Sequence, residues 1–171
     1  MRDVKALLHS RRKGNPPGES RCEQIFESVM AGAGKRQIQA REGLFDWSDD
    51  GPYLLGSRCR DCGEVVFPTN PFCPKCCEET MDVIKLSRRG MLYSFTVQRY
   101  KPPPPYRGPN PFVPYGVGMV ELPEGVRVTS VLEESNPDRL KVGMPMEVVV
   151  KVRYESDNGD EVLGYGFKVV E

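Results

Sequence analysis

Beyond residue 84 the chain settles into short runs in which apolar and polar positions alternate. They read GMLYSFTVQRY (90–100), YGVGMVEL (115–122), VRVTSVLEE (126–134), MPMEVVVKVRY (144–154) and EVLGYGFKVVE (161–171). A period of two places one face of each run on a core and the other in water, the signature of half-buried β-strands. Pro, Gly, Asn and Asp punctuate the gaps: PPPPYRGPNPFVP, PEG, SNPDRLKVG and SDNGD. Five strands with one long decorated connection predict a small Greek-key barrel of the OB type rather than a sandwich of seven or more. The EESNPDRLKVGM segment, with Gly143 after a turn of helix, suits a plug between barrel strands.

Earlier in the chain the period changes. Ser20 is placed to cap a helix, with Glu23 three residues on as its capping-box partner. Ile25, Phe26, Val29 and Met30 then form one apolar stripe that ends at Gly32 and Gly34. Residues 1–45 are therefore expected to form an N-terminal helical extension whose stripe needs a surface to cover it. From there GPYLLGSRC (51–59) and EVVFP (64–68) read as short strands around a Cys-x-x-Cys turn. The expected layout is mainly β: helical arm to 45, a cysteine-bearing ribbon over 46–84, and the barrel over 85–171.

Charge then narrows the functional classes. The 24 Lys/Arg and 24 Asp/Glu divide as 9 and 6 over residues 1–46, 3 and 7 over 47–84, and 12 and 11 over 85–171. A barrel that is nearly neutral lacks the basic groove that tracks a nucleic-acid backbone, so no nucleic acid is expected as partner. No apolar run approaches the roughly 18 residues of a membrane span, and the N-terminus lacks a secretory leader pattern. A cytoplasmic location is expected, where clustered cysteines read as metal ligands rather than disulfides. His9 is the sole histidine, in a basic stretch, which removes most His-based catalysis.

Five of the six cysteines fall within residues 59–77. Cys59-x2-Cys62 and Cys73-x2-Cys76 make two knuckles, which let four thiolates converge on a tetrahedral d10 ion such as zinc. The same donor set also suits iron. A disulfide pair and a redox dithiol are weaker readings, because a redox site needs only one Cys-x-x-Cys. Four thiolates close the coordination shell, so the site is structural and contributes folding free energy. Pairing Cys73 with Cys77 would break the symmetric knuckle, so Cys77 is read as a bystander. Cys22 reads as a buried thiol on the N-terminal helix.

The blocks GSRCRDCGEVVFPTNPFCPKC, GMLYSFTVQRY, PYGVGMVELPEGVRVTSVL, LKVGMPMEVVVKV and YGFKVV, in that order over about residues 45–171, resemble the zinc-ribbon/OB-fold acyl-CoA-associated family. That family was long labelled only a domain of unknown function. The resemblance implies a rubredoxin-like zinc ribbon followed by an OB barrel. It implies a non-catalytic small subunit beside a thiolase-fold partner that supplies the catalytic Cys and His. It also implies an acyl-CoA thioester enclosed between the two chains, as in sterol side-chain breakdown, archaeal acetoacetyl-CoA metabolism and anaerobic toluene breakdown. One departure stands out: members often carry a basic residue after Phe-Pro-Pro, where this chain reads Phe67-Pro68-Thr69-Asn70.

The proline-rich stretch over 100–115 is the most unusual outside the knuckles. Its backbone should be stiff and extended. Tyr100, Tyr106, Phe112 and Tyr115 supply flat faces, and Lys101 and Arg107 supply cations. These six are the candidate contacts to ligand or partner, since a rigid loop orders at little entropic cost. Arg88 and Arg89 suit either a phosphate contact or a solvated turn. Arg58, Arg60, Glu78, Glu79 and Asp82 read as solvated surface, and Trp47 as a packing lid.

Overall fold

The computed structural model describes residues 35–170. The predicted N-terminal helix, with Cys22 and His9, lies outside the described residues. Residues 35–170 form ten strands and one 3-10 turn.

Five strands close the barrel: β6 (Arg89–Gln98), β7 (Tyr115–Glu121), β8 (Arg127–Leu132), β9 (Pro145–Glu155) and β10 (Glu161–Val169). The hydrogen-bonded order runs β6-β7-β8-β10-β9 and returns to β6, because β9 pairs with both β10 and β6. Pairing is antiparallel except between β8 and β10, where Gly166 faces Val131 and Phe167 faces Leu132 in parallel register. Closure along this non-sequential path is the Greek-key barrel expected from the alternating pattern. In β7 the alternation is strict, with Gly116, Gly118 and Val120 buried and their neighbours half-exposed. Gly90 is buried because a Cβ there would run into the Glu121 carbonyl on β7.

The long gap between β8 and β9 forms the expected plug. Asn136 caps a 3-10 turn over Pro137–Arg139, its Oδ1 accepting from the Asp138 amide at 3.0 Å. The turn delivers Leu140 into the core. Gly143 comes next at φ +86°, a left-handed conformation open to glycine, and its amide bonds to the Leu92 carbonyl at 2.8 Å.

A second sheet carries the cysteines. Its central strand β3 (Gly51–Cys59) pairs with β2 (Phe45–Ser48), with β4 (Val65–Val66) and with β5 (Met81–Lys85), all antiparallel. The sequence boundary placed residues to 45 in the extension. The described structure puts β1 (Gln37–Gln39) within that span as a parallel strand on β10, opposite Glu161–Leu163.

The two sheets share one hydrophobic core. Phe45, Leu54 and Leu86 from the ribbon side join Leu92, Val120, Met146 and Phe167 of the barrel in one contiguous cluster. Edge-on packing of Phe67, between the knuckles, against Tyr165 of β10 (centroids 5.4 Å apart) extends this seam. Arg88 completes it. Its guanidinium bonds to the Asp50 carbonyl and to the Pro52 carbonyl (3.0 Å), and pairs with Glu147 at 3.4 Å. Of the two roles expected for Arg88 and Arg89, neither describes Arg88, which ties ribbon to barrel; Arg89 is largely exposed and reaches Glu147 at 3.4 Å.

Candidate metal centre and proline-loop cavity

The first knuckle hangs from the end of β3. Cys59 is the last residue of that strand, and its carbonyl accepts from the Gly63 amide at 3.1 Å, closing the turn. In the second knuckle the Cys73 carbonyl accepts from the Cys77 amide at 2.8 Å, and the Cys76 amide points at Cys73 Sγ at 3.4 Å. These turns bring Cys59, Cys62, Cys73 and Cys76 together, with their four sulfurs all within 4.8 Å of one another. Cys59 and Cys73 are buried and the other two half-buried.

The electrostatics of the cluster ask for a cation. The Thr80 hydroxyl, 3.2 Å from Cys59 Sγ, together with the Cys62 and Asp61 amides, lowers the Cys59 thiol to about 6. Contact with Cys62, burial, and the other two sulfurs push the Cys76 thiol up. A thiolate is favoured at Cys59, whereas a second charge at Cys76 is resisted by its neighbours; a divalent ion at the centre removes that resistance. Four soft sulfur donors fit zinc, whose Zn–S distance of about 2.3 Å spans such a cluster.

Cys77 stands apart. It is exposed, at φ +62°, the sole non-glycine residue in the left-handed region among those described. Around the knuckles, Asn70 has a structural role: its amide donates to Ser57 Oγ at 3.1 Å and its Oδ1 accepts from the Phe72 amide at 3.0 Å. Thus the Phe67–Asn70 segment packs on the barrel through Phe67 and on β3 through Asn70. Arg60 pairs with Asp82 at 3.0 Å on the surface. Trp47 packs edge-on against Phe45 at 5.2 Å while remaining half-exposed.

The second concave feature lies under the proline-rich loop between β6 and β7, a cavity of about 580 Å³. Of the six candidate contact residues, Tyr106, Arg107 and Tyr115 line it. Phe112 stands between the two tyrosines, edge-on to Tyr106 at 5.9 Å and to Tyr115 at 6.1 Å. Tyr100 and Lys101 do not reach the cavity and are exposed. Burial first, and then Tyr106, pushes the Tyr115 phenol up. Sequence reasoning missed the opposite wall, which β8, β9 and β10 supply through Val131, Arg153, Tyr154 and Tyr165. The signal available was Gly-Tyr-Gly at 164–166, a gap in a strand face that a neighbouring side chain can fill.

A cysteine-quartet ribbon fused to a closed five-stranded barrel defines the class: a zinc-ribbon protein with an OB-fold domain. Residues 51–82 match the family model described as "ChsH2, rubredoxin-like zinc ribbon domain", and residues 83–151 match "ChsH2, C-terminal OB-fold domain". A "DUF35 domain-containing scaffold protein" of Methanocaldococcus jannaschii is 36% identical over 116 residues, spanning 67% of this chain and 79% of that protein. The "Benzoylsuccinyl-CoA thiolase subunit BbsA" of Thauera aromatica is 33% identical over 120 residues, spanning 70% of this chain and 78% of that protein. Among solved structures, the "Ltp2-ChsH2(DUF35) aldolase" superposes with a TM-score of 0.53 at 29% identity, covering 68% of this chain and 84% of that one. The chain belongs to the DUF35 family of ChsH2-type zinc-ribbon/OB-fold proteins.

Proposed function

We propose that this protein is a non-catalytic scaffold subunit of a thiolase-type complex acting on acyl-CoA thioesters. The observation that carries this reading is the 33% identity to a thiolase subunit, which runs over 120 residues and 70% of this chain. The superposition on a chain of an aldolase complex points the same way.

In this reading Cys59, Cys62, Cys73 and Cys76 hold a zinc ion, whose contribution when bound is to fix both knuckles and add folding free energy. A shell of four thiolates offers no position to substrate, so carbon–carbon bond chemistry falls to a thiolase-fold partner in a hetero-oligomer. The barrel and its proline loop then help enclose the CoA ester, orient it and exclude water. A stiff loop is suited to this, because little freedom is lost when a partner closes on it. In this reading the complex works in the cytoplasm, where thiols stay reduced and free to hold a metal. Among the described residues no helix is long and apolar enough to cross a membrane.

The test is co-expression with a thiolase-like partner encoded beside it. The two chains should co-purify as a stable complex, and the partner alone should be inactive or insoluble. A chain that stays monomeric in the partner's presence and leaves its turnover unchanged would overturn the reading.

A further inference from the structure

Across β6, β7 and β8 the outward side chains fall into register. Ser94, Met119 and Thr129 make one cross-strand row, and Thr96, Val117 and Val131 make the next. All six share a face, because paired residues point the same way and positions two apart in a strand repeat it. It is the outer face of the barrel, since the intervening Gly118, Val120 and Val128 are buried. Ser94, Thr96 and Thr129 are exposed, and the other three are half-exposed.

None of the six carries a charge, in a chain where 28% of residues do. Charge is confined to the borders. At one end Arg127 pairs with Glu121 at 3.1 Å and stands 3.7 Å from the centre of the Tyr93 ring. At the other end Glu133 takes both Lys151 and Arg153. Arg153 lies over Gly164 and Gly166 on β10, where any Cβ would meet its side chain. An uncharged centre within a polar border is the anatomy of a protein–protein contact. Six side chains are few for a stable interface, which buries about 800 Å² on each partner. Exposed Met91 and Tyr93 extend the patch along β6, and exposed Val113 extends it onto the proline loop.

Place within the barrel narrows the occupant. β7 and β8 are its second and third strands, and in OB folds the face they form is the one that receives ligands. A single-stranded nucleic acid there needs cations along its backbone and aromatic faces under its bases. The two rows offer neither. They fit a protein surface that is itself uncharged, because a charge set against them would be desolvated without a partner. Val131 also lines the proline-loop cavity, together with Tyr115, so a protein seated on the rows adjoins that cavity.

We propose that the outer face of β6, β7 and β8 is the surface on which the thiolase-fold catalytic subunit docks, through an uncharged patch of its own. This assignment rests on the scaffold reading above and gives that reading a surface.

Co-purified with a thiolase-like partner, the full-length parent should give a complex whose dissociation on dilution, followed by mass photometry, sets a reference affinity. Val117→Lys and Thr129→Lys place one charge in each row. Each should weaken the complex at least about a hundredfold, the scale of an unpaired charge buried at an interface. Val83→Lys, at an exposed apolar position on β5 in the ribbon, should change it by less than about twofold. Circular dichroism reports whether each variant is folded. Thr129 is already exposed, so Thr129→Lys carries the test if Val117→Lys does not fold. A complex undiminished by both charges overturns the surface and leaves the scaffold reading standing. So does equal loss in Val83→Lys. So does a parent that is a dimer of itself by light scattering and becomes monomeric in Thr129→Lys, which would seat a second copy on this face. A parent that forms no complex overturns the scaffold reading, and this surface with it, so binding by the parent tells the two failures apart.

Discussion

Arg107 grips Asp157 with two parallel hydrogen bonds of 3.1 Å, so a residue in the middle of the proline-rich loop is bound to the turn joining β9 and β10. The same guanidinium stands 5.7 Å from the centre of the Tyr154 ring. Both partners of the ion pair are substantially exposed, Asp157 most of all. Its value therefore lies in positioning the loop more than in global stability.

Breaking this latch should leave the fold nearly as stable as before. Asp157→Asn is expected to change the unfolding free energy by less than about 1 kcal/mol. Hydrogen exchange at residues 106–108 should nevertheless quicken. A loop whose exchange is unaltered in the variant would show that its own prolines hold it in place.

The acid side of the stability profile should depend on Glu147. Lys168, with Arg88 and Arg89 behind it, holds this carboxyl below its ordinary value. The unfolded chain therefore binds the proton more readily, and the contribution is present above about pH 4.3, the unfolded value. It disappears as pH falls through the lower folded value. Glu147→Gln should cost about 1–2 kcal/mol at pH 7, and in denaturant melts the gap from the parent should narrow once pH falls below the unfolded value and close as it passes through the lower folded one.

The knuckles predict a metal stoichiometry. Elemental analysis should find about one zinc per chain, unchanged in Cys77→Ser and lost or sharply weakened in Cys76→Ser. Equal loss in both variants would reopen the choice between the adjacent thiols. Chelation of the ion should lower the melting temperature of the whole described unit.

Gly90, the second residue of the first barrel strand, has no room for a side chain, since the obstructing atom is the Glu121 backbone carbonyl and not a flexible tip. Gly90→Ala should therefore destabilise by about 1–3 kcal/mol, read from chemical unfolding. A neutral outcome would mean that β6 and β7 separate locally at little cost.

Much of this architecture was legible in the sequence, for identifiable reasons. The barrel strands announce themselves because each has one face in the core, which imposes a period of two. The cysteine quartet is legible because metal coordination constrains spacing, and turn geometry is set by that spacing. Gln37–Gln39 was not legible as a strand. Gln-Ile-Gln is too short to show an alternation and becomes β1 through pairing with β10, a tertiary effect that overrides propensity. Nor was the role of Arg88, whose partners include two backbone carbonyls from a different sheet. Arg153 was invisible for a similar reason: what distinguishes it from any exposed strand arginine is the pair of glycines it lies over. Among the loop residues, proximity to the second strand mattered most. Tyr106, Arg107 and Tyr115 reach the cavity, while Tyr100 and Lys101 precede the fold of the loop over the barrel.

The continuity of apolar packing from Phe45, Leu54 and Leu86 into the barrel bears on how such chains diversify. The ribbon and the barrel carry separate family descriptions, yet cutting the chain near residue 82 would strip each half of its neighbour and lay bare large apolar side chains on both. Recombination in evolution or in the laboratory would therefore have to exchange the two halves together, or rebuild the seam. The zinc end and the loop end of the molecule are inherited as one piece.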